Sequence, residues 1–147
     1  MLSLSQWPKR YHLYQYLDSL FLNWDDKSDT IALLIMNLDN FRETCELFDY
    51  RDIEIVLANI GQIIKSSCPP DSYAAWLGSD EFAVALENTT EAEAEQTAAA
   101  ICGNLNKPMH FHGKNALITA SIGWAAAPKD AGDRYELLKT ATMAMNW

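Results

Sequence analysis

Several features that would place this 147-residue chain in a membrane or outside the cell are missing from its sequence. No apolar run reaches the ~18 residues that a membrane-spanning helix needs, and residues 1–10 lack the basic, apolar and small-residue order of a signal peptide. The three cysteines, Cys45, Cys68 and Cys102, lie far apart and form no CxxC pattern, which argues against a disulfide framework or a zinc site. We therefore expect a cytoplasmic or cytosol-facing protein with reduced thiols.

Positive charge is also scarce, since 11 Lys and Arg residues stand against 20 Asp and Glu residues, for a net charge of −9. Such a chain repels a polyphosphate backbone, which excludes ordinary nucleic-acid binding, and any phosphate ligand would need a metal ion beside it. Hydrophobic residues make up 49% of the sequence. That share and the length together predict one globular domain over residues 1–147.

The spacing of apolar, capping and turn residues predicts the secondary structure in chain order. The predicted elements are a helix over about 8–22, a buried strand over 31–36 that ends at 37–39, helix-compatible residues 40–50, a helix capped by Asp52 that ends before Pro69-Pro70, a hairpin over 73–86, a helix over about 90–106, a second hairpin with arms at 109–112 and 115–126, and a last helix capped by Asp133. The Gly78-Ser79 pair fits the two-residue loop of the first hairpin, with Gly first.

This order predicts an α+β fold, in which helices cover a mostly antiparallel central sheet around one buried strand. The ferredoxin-like folds are the nearest fit. The last helix runs to Trp147 without a residue that would end it. We therefore expect the chain to be excised from a larger multidomain protein.

Acidic residues stand where two of the predicted strands end. Asp39 directly follows the buried strand, and Asp80-Glu81 occupies the turn of the first hairpin. If these strands are neighbours, the carboxylates converge, and hard oxygen ligands at a sheet edge are what Mg²⁺ needs. Turns and strand ends are also commonly acidic because they are solvent-exposed, so the spacing leaves both interpretations open.

The residues themselves resemble a known family. The stretch W-L-G-S-D-E-F over 76–82 looks like the signature turn of the GGDEF domains, the bacterial diguanylate cyclases and their relatives, with Ser79 at the second glycine. Residues 31–42 are similar to the family's buried strand and D-x-D-x-F-K stretch, and 119–123 resemble its T-x-S-I-G strand. Residues 137–145 resemble its L-x-x-x-A-D-x-A-L helix, and 7–10 sit where the family carries L-x-N-R.

This resemblance covers nearly the whole chain and implies the fold of a nucleotidyl cyclase palm. Family members condense two GTP molecules into cyclic di-GMP, each half-site holds GTP with two Mg²⁺ ions, and two domains face each other. The resemblance places Asn37, the carbonyl of Leu38 and Asp80 at the metal. It brings the amides near Asn40 and Phe41 to the phosphates.

Two departures from the family pattern concern the nucleotide and its metal. The first metal-binding Asp of the family falls on Asn37, whose amide oxygen can still be a ligand but carries no negative charge. The two guanine-reading positions fall on Cys45 and Glu54, in place of an Asn and an Asp. A thiol is a weak hydrogen-bonding group, and losing a good contact to a base costs about 1–3 kcal/mol. We therefore expect weak Mg²⁺ binding and doubtful guanine selectivity.

Two further departures lie around the hairpin turn. Ser79, which follows Gly78, adds a side chain where the family keeps bare backbone close to the nucleotide. The R-x-x-D motif of the family's inhibitory product site would fall on Pro69 and Ser72 and is absent. Glu81 matches the family motif, in a role that the sequence does not define.

The hypothesis from the sequence is a degenerate GGDEF domain with a GSDEF signature, which acts as a regulatory, GTP-sensing or interaction module with little or no cyclase activity. The expected partners are GTP, a neighbouring EAL phosphodiesterase or sensory domain, and a second copy of the chain. Two alternatives stay open, an active diguanylate cyclase and a purely structural dimerisation domain. The candidate residues are vestigial catalytic Asp80 and Glu81, nucleotide-binding Asn40, Phe41, Cys45, Glu54, Gly78 and Ser79, and metal-binding Asn37, Leu38 and Asp80.

Overall fold

The computed structural model describes residues 3–25, 29–111 and 113–146. After a short 3₁₀ turn at Leu4–Gln6, the elements are α1 (Arg10–Leu22), β1 (Ile31–Leu38), α2 (Phe41–Cys45), α3 (Tyr50–Ser66), β2 (Tyr73–Gly78), β3 (Glu81–Glu87), α4 (Glu91–Leu105), β4 (Met109–Phe111), β5 (Lys114–Ala116), β6 (Ala120–Ala127) and α5 (Arg134–Met145). No helix in these described ranges is long and apolar enough to cross a bilayer.

The central sheet has four antiparallel strands in the order β2-β3-β1-β6. Strand β1 lies between β3 and β6, and seven of its eight residues are buried. Because both of its faces are covered, β1 is apolar without interruption up to Met36, as expected for a strand that packs helices on both sides. The predicted central buried strand and the α+β class are confirmed.

Two helices cover each face of the sheet. Successive side chains of a strand point to opposite faces, so Leu34 and Met36 join one core with α3 and α4, whereas Leu33 and Ile35 join the other with α1 and α5. Phe82 of β3 is fully buried in the first core. The apolar faces of the two helix pairs thus pack against opposite faces of the same sheet.

Helix α5 lies unusually close to the sheet at Gly123 of β6. A Cβ atom at this position would overlap backbone atoms of Ala141, Ala144 and Met145. Glycine is therefore required by the close approach of the two backbones, not by a turn. The contact fixes the carboxyl end of α5 beside the end of β1.

Two local predictions were wrong. Asp49, not Asp52, caps α3, because its carboxylate accepts the backbone N–H of Asp52 at 2.9 Å, and Asp52 lies buried in the first turn. In the first hairpin, Gly78 pairs with Glu81, so the two-residue loop is 79–80. A register shift after Trp76 adds one residue to β2 and moves the loop forward by one position.

The second predicted hairpin was only partly right. Strands β4 and β5 form a separate two-stranded sheet, and the chain then leaves it over 117–119 before β6 joins the central sheet. The predicted arm 115–126 therefore belongs to two strands in two sheets, because the apolar residues of β6 are buried against β1 and cannot also follow β4. The predicted first arm ends at His112, which lies outside the described residues.

Candidate functional site

An open cleft of about 520 Å³ lies where β1 ends. The residues that line it are Asn37, Leu38, Asp39, Asn40, Phe41, Arg42, Glu43, Asp80, Ser121, Met145 and Asn146. They come from the end of β1, the turn into α2, the β2–β3 turn, the start of β6 and the end of α5. The cleft is therefore a product of the sheet order, which brings these five segments to one edge.

The predicted meeting of the strand end with the hairpin turn occurs. The N–H of Leu38 donates to the carbonyl of Asp80 at 2.9 Å, and Asn37 pairs with Glu81 across the two strands. Asp80 thus faces the cleft beside Asn37 and Leu38. Its carboxylate has no hydrogen-bond or ion-pair partner among the described residues.

Gly78 and Ser79 shape the turn but do not line the cleft. Gly78 has a φ of 111° and Ser79 a φ of 49°, so the serine occupies the left-handed region that L-residues rarely adopt. The indole N–H of Trp76 donates to the carbonyl of Ser79 at 3.1 Å, which holds this strained backbone in place. The predicted nucleotide contacts of Gly78 and Ser79 remain predictions.

A second left-handed residue, Asn40, turns the chain from β1 into α2, with a φ of 53°. Its carbonyl accepts both the N–H of Thr44 at 3.1 Å and the Thr44 hydroxyl at 3.2 Å. The next residue, Phe41, is buried in the core under α2. Asn40 and Phe41, predicted to lie near phosphates, thus line the cleft.

Asp39 and Glu81 do not offer free carboxylates to the cleft. Both oxygens of Asp39 are engaged, since Oδ2 accepts the hydroxyl of Thr119 at 2.7 Å and Oδ1 accepts that of Ser121 at 2.6 Å. Glu81 lies 3.5 Å from the guanidinium of Arg10, at the start of α1. The Tyr14 hydroxyl and then Glu81 raise the pKa of Arg10, which therefore stays charged.

The donors present do not fit a pair of Mg²⁺ ions. Oδ1 of Asn37 is buried and has no hydrogen-bond partner in the described part of the chain. Asn37 lines the cleft, and its amide carries no charge. No group of three His, Cys, Asp or Glu residues that could hold a metal ion occurs within 3–25, 29–111 and 113–146. Asp80 alone of the three predicted metal residues is anionic, whereas two Mg²⁺ ions need several charged oxygens.

The two predicted base-reading residues line different hollows. Cys45, at the end of α2, lies in an apolar hollow of about 600 Å³ with Phe48 and Tyr50. Glu54 lies on α3 in another hollow, of about 220 Å³, beside Leu4, Leu57 and Trp76. Neither hollow is lined by both residues.

The thiol of Cys45 is a poor reader of a base edge. Burial raises its pKa, and the negative charge of Asp80 raises it further. The thiol therefore stays protonated at neutral pH, and its S–H group is only a weak hydrogen-bond donor.

Sequence reasoning missed five of the residues that line the cleft, namely Arg42, Glu43, Ser121, Met145 and Asn146. Arg42 had a signal, because it occupies the basic position of the D-x-D-x-F-K stretch. Ser121 had a signal as the serine of the T-x-S-I-G resemblance over 119–123, and the strand register pairs it with Asn37. The end of α5 reaches the cleft through the close contact at Gly123, which leaves no mark in a local pattern.

A family model described as "Diguanylate cyclase, GGDEF domain" matches residues 3–147. Among curated relatives, Signaling protein YkoW of Bacillus subtilis is 28% identical over 145 residues, which are 97% of this chain and 18% of YkoW. The bifunctional diguanylate cyclase/cyclic di-GMP phosphodiesterase MucR of Pseudomonas aeruginosa is 27% identical over 143 residues, 97% of this chain and 21% of MucR. The chain thus spans about a fifth of the length of these two relatives.

Solved structures of GGDEF domains share the fold of this chain. The crystal structure of the GGDEF domain of TpbB (YfiN) from Pseudomonas aeruginosa superposes with a TM-score of 0.89 at 27% identity, over 97% of this chain and 89% of that one. The GGDEF domain of DgcB from Caulobacter crescentus, solved in complex with c-di-GMP, gives a TM-score of 0.86 at 19% identity, over 99% of this chain and 87% of that one. The second match supports the fold alone.

Proposed function

The chain belongs to the GGDEF domain family of cyclic di-GMP signalling proteins, and we propose that it is a degenerate member with little or no cyclase activity. In this proposal it acts in the cytoplasm as a regulatory or interaction module. It keeps the palm and the turn that carries Asp80, and it has lost the charge that the reaction needs.

The observation that carries this proposal is the charge of the cleft. Phosphoryl transfer depends almost entirely on metal charge and on positioning. Here the position of the first metal ligand holds the neutral Asn37, with its oxygen buried, and Asp39 and Glu81 are engaged elsewhere. Asp80 is the one anionic residue among the three that the family resemblance places at the metal, and two divalent ions need several charged oxygens.

Weak GTP binding is the second part of the proposal. Arg42 is exposed at the cleft and has no carboxylate partner among the described residues, so it can contact a phosphate. In this proposal the base occupies the hollow of about 220 Å³ that Glu54, Leu57 and Trp76 line. Affinity is limited because Asp39, Asp80 and the overall charge of −9 oppose a polyphosphate.

The proposed partners are parts of a longer protein. MucR is named as both a cyclase and a phosphodiesterase, and this chain covers 21% of its length. We place a phosphodiesterase domain of the EAL type, or a sensory domain, beside this one in the full protein. Binding of GTP here would then change the activity of that neighbour.

The deciding experiment incubates the full-length protein with GTP and Mg²⁺ and measures cyclic di-GMP by chromatography. We expect no product above that of Asp80→Ala, the matched control for the remaining carboxylate. Clear product that disappears in Asp80→Ala would overturn the proposal.

That outcome would favour the alternative of an active diguanylate cyclase. One observation favours an active cyclase: the hydrogen bond from the Leu38 N–H to the Asp80 carbonyl keeps Asp80 at the cleft. Calorimetry with GTP and Mg²⁺ addresses the remaining alternative. Absence of any heat at millimolar ligand would favour a purely structural dimerisation domain.

A further inference from the structure

Asp39 lies one residue beyond β1, where the strand could simply end. Instead its N–H donates to the carbonyl of Thr119 at 2.8 Å, which extends the pairing of β1 with the segment before β6. With the two hydroxyl bonds to its carboxylate, Asp39 makes three hydrogen bonds to 119 and 121. We call this set of bonds the Asp39 clamp.

The sequence of the partner strand explains why one carboxylate reaches two hydroxyls. Thr119 and Ser121 are two residues apart, and alternate residues of an extended chain project to the same side. Each hydroxyl therefore meets one oxygen of Asp39, at 2.7 and 2.6 Å. Hydrogen bonds to an ionised carboxylate are short and about twice as strong as neutral ones.

The Asp39 clamp stands next to a strained residue. Asn40 is left-handed, a conformation that L-residues rarely adopt and that persists where the neighbouring structure enforces it. On the α2 side of Asn40, the N–H and hydroxyl of Thr44 donate hydrogen bonds to the Asn40 carbonyl, and Phe41 is buried in the core. On the β1 side of Asn40, the hydrogen bonds that hold the backbone are those of Asp39.

We propose that Asp39 is a positioning residue: held by Thr119 and Ser121, it keeps the Asn40 turn in the shape that receives the phosphate chain of a bound nucleotide. It acts through the turn and does not touch the metal or the nucleotide. The inference rests on the proposed function for its ligand, but the effect on the turn can be measured without one.

Two rival roles make different predictions. If Asp39 were a metal ligand, its oxygens would have to leave the hydroxyls, and removing Thr119 and Ser121 hydroxyls would tighten metal binding. If the Asp39 clamp only stabilised the fold, its loss would lower the melting temperature and leave the affinity of the folded protein unchanged.

The test compares Thr119→Val, which removes the hydroxyl at nearly constant shape, with Thr119→Ser, which keeps it. Thr97→Val is the matched control, because the Thr97 hydroxyl bonds the Glu93 carbonyl within α4, away from the cleft. Binding of a fluorescent GTP analogue with Mg²⁺ and binding of Mn²⁺ alone are measured by titration. Amide hydrogen exchange over 39–43 is measured without nucleotide.

We expect Thr119→Val to weaken nucleotide binding about tenfold, within the range of one hydrogen bond to a charged group, and to speed exchange over 39–43. Thr119→Ser and Thr97→Val should match the wild type in nucleotide affinity and in the rate of amide exchange over 39–43. Unchanged exchange over 39–43 in Thr119→Val would overturn the proposal whether or not nucleotide binds. Tighter Mn²⁺ binding in that variant would also overturn it and make Asp39 a latent ligand.

The nucleotide measurement separates this inference from the proposed function. If the wild type binds no nucleotide, GTP sensing fails, and the exchange data still decide whether Asp39 holds the turn. If the wild type binds and Thr119→Val binds equally well, the positioning role fails alone.

Discussion

At the scale of single residues, the chemistry of the cleft depends on which carboxylates are free. Asp39 and Glu81 have partners in neighbouring segments, and Asn37 replaces a charge with a buried, unpartnered oxygen. Only Asp80 of these four combines a charge with an open side chain at the cleft. A change of one residue should therefore alter metal binding measurably.

Replacement of Asn37 by Asp should strengthen binding of divalent metal by about tenfold or more, because the charge of the ligands sets the affinity of such sites. Mn²⁺ titration followed by electron paramagnetic resonance measures the effect. Asn88→Asp is the control, since it adds the same charge at an exposed residue outside the cleft. Equal affinity in Asn37→Asp and the wild type would mean that the geometry of the metal site has been lost as well as its charge.

Cys68 gives a prediction that does not depend on function. Burial raises the pKa of its thiol from 9.0 to about 11, so the folded state favours the neutral form. The unfolded thiol ionises first, and stability is therefore full below pH 9.0 and falls as the pH rises towards about 11.

The same shift protects Cys68 from alkylation. At pH 8 about one folded Cys68 thiol in a thousand would be ionised, and the thiolate is the reactive form. We expect iodoacetamide to modify the exposed Cys102 in the native protein and Cys68 only after urea is added, as read by peptide mass spectrometry. Equal labelling of both residues in the native state would contradict the burial and raised pKa of the Cys68 thiol.

At the scale of elements, the close packing of α5 on β6 sets the far wall of the cleft. The backbone of α5 passes so near Gly123 that no side chain fits there. This contact places Met145 and Asn146 beside Asn37 and Asp80. The wall should therefore move, and stability should fall, when the contact is disturbed.

Replacement of Gly123 by Ala should destabilise the protein by roughly 1–3 kcal/mol or more, because the added methyl meets backbone that cannot rotate away. Gly103→Ala is the matched control. Gly103 lies in α4 with no atoms near its would-be Cβ, so Ala should stabilise by about 0.5–1 kcal/mol through helix propensity. Urea denaturation measures both, and a neutral Gly123→Ala would show that α5 can withdraw from β6 at little cost.

At the scale of the whole molecule, the cleft unites segments that are distant in the chain, from 37–43 to 145–146. The strand order β2-β3-β1-β6 puts the hairpin turn on one side of β1 and the 119–121 segment on the other. The net charge of −9 opposes the approach of a free polyphosphate. In the proposed function a bound nucleotide relies on a few local contacts, and Arg42 is the exposed cation that lines the cleft.

The sequence by itself determined the fold class and the central strand, because a buried apolar run is a local signal. The grouping of Asn37, Leu38 and Asp80 was implied by the resemblance to the GGDEF family and not by spacing. It missed the loop at 79–80, since a one-residue shift in register leaves no mark on composition. It also missed the true cap at Asp49 and the split of the second hairpin. The partners of Asp39 and Glu81 and the wall formed by α5 were decided only by the tertiary structure. Each depends on which side chains from remote segments come within hydrogen-bonding or packing distance, and only the folded chain brings those segments together.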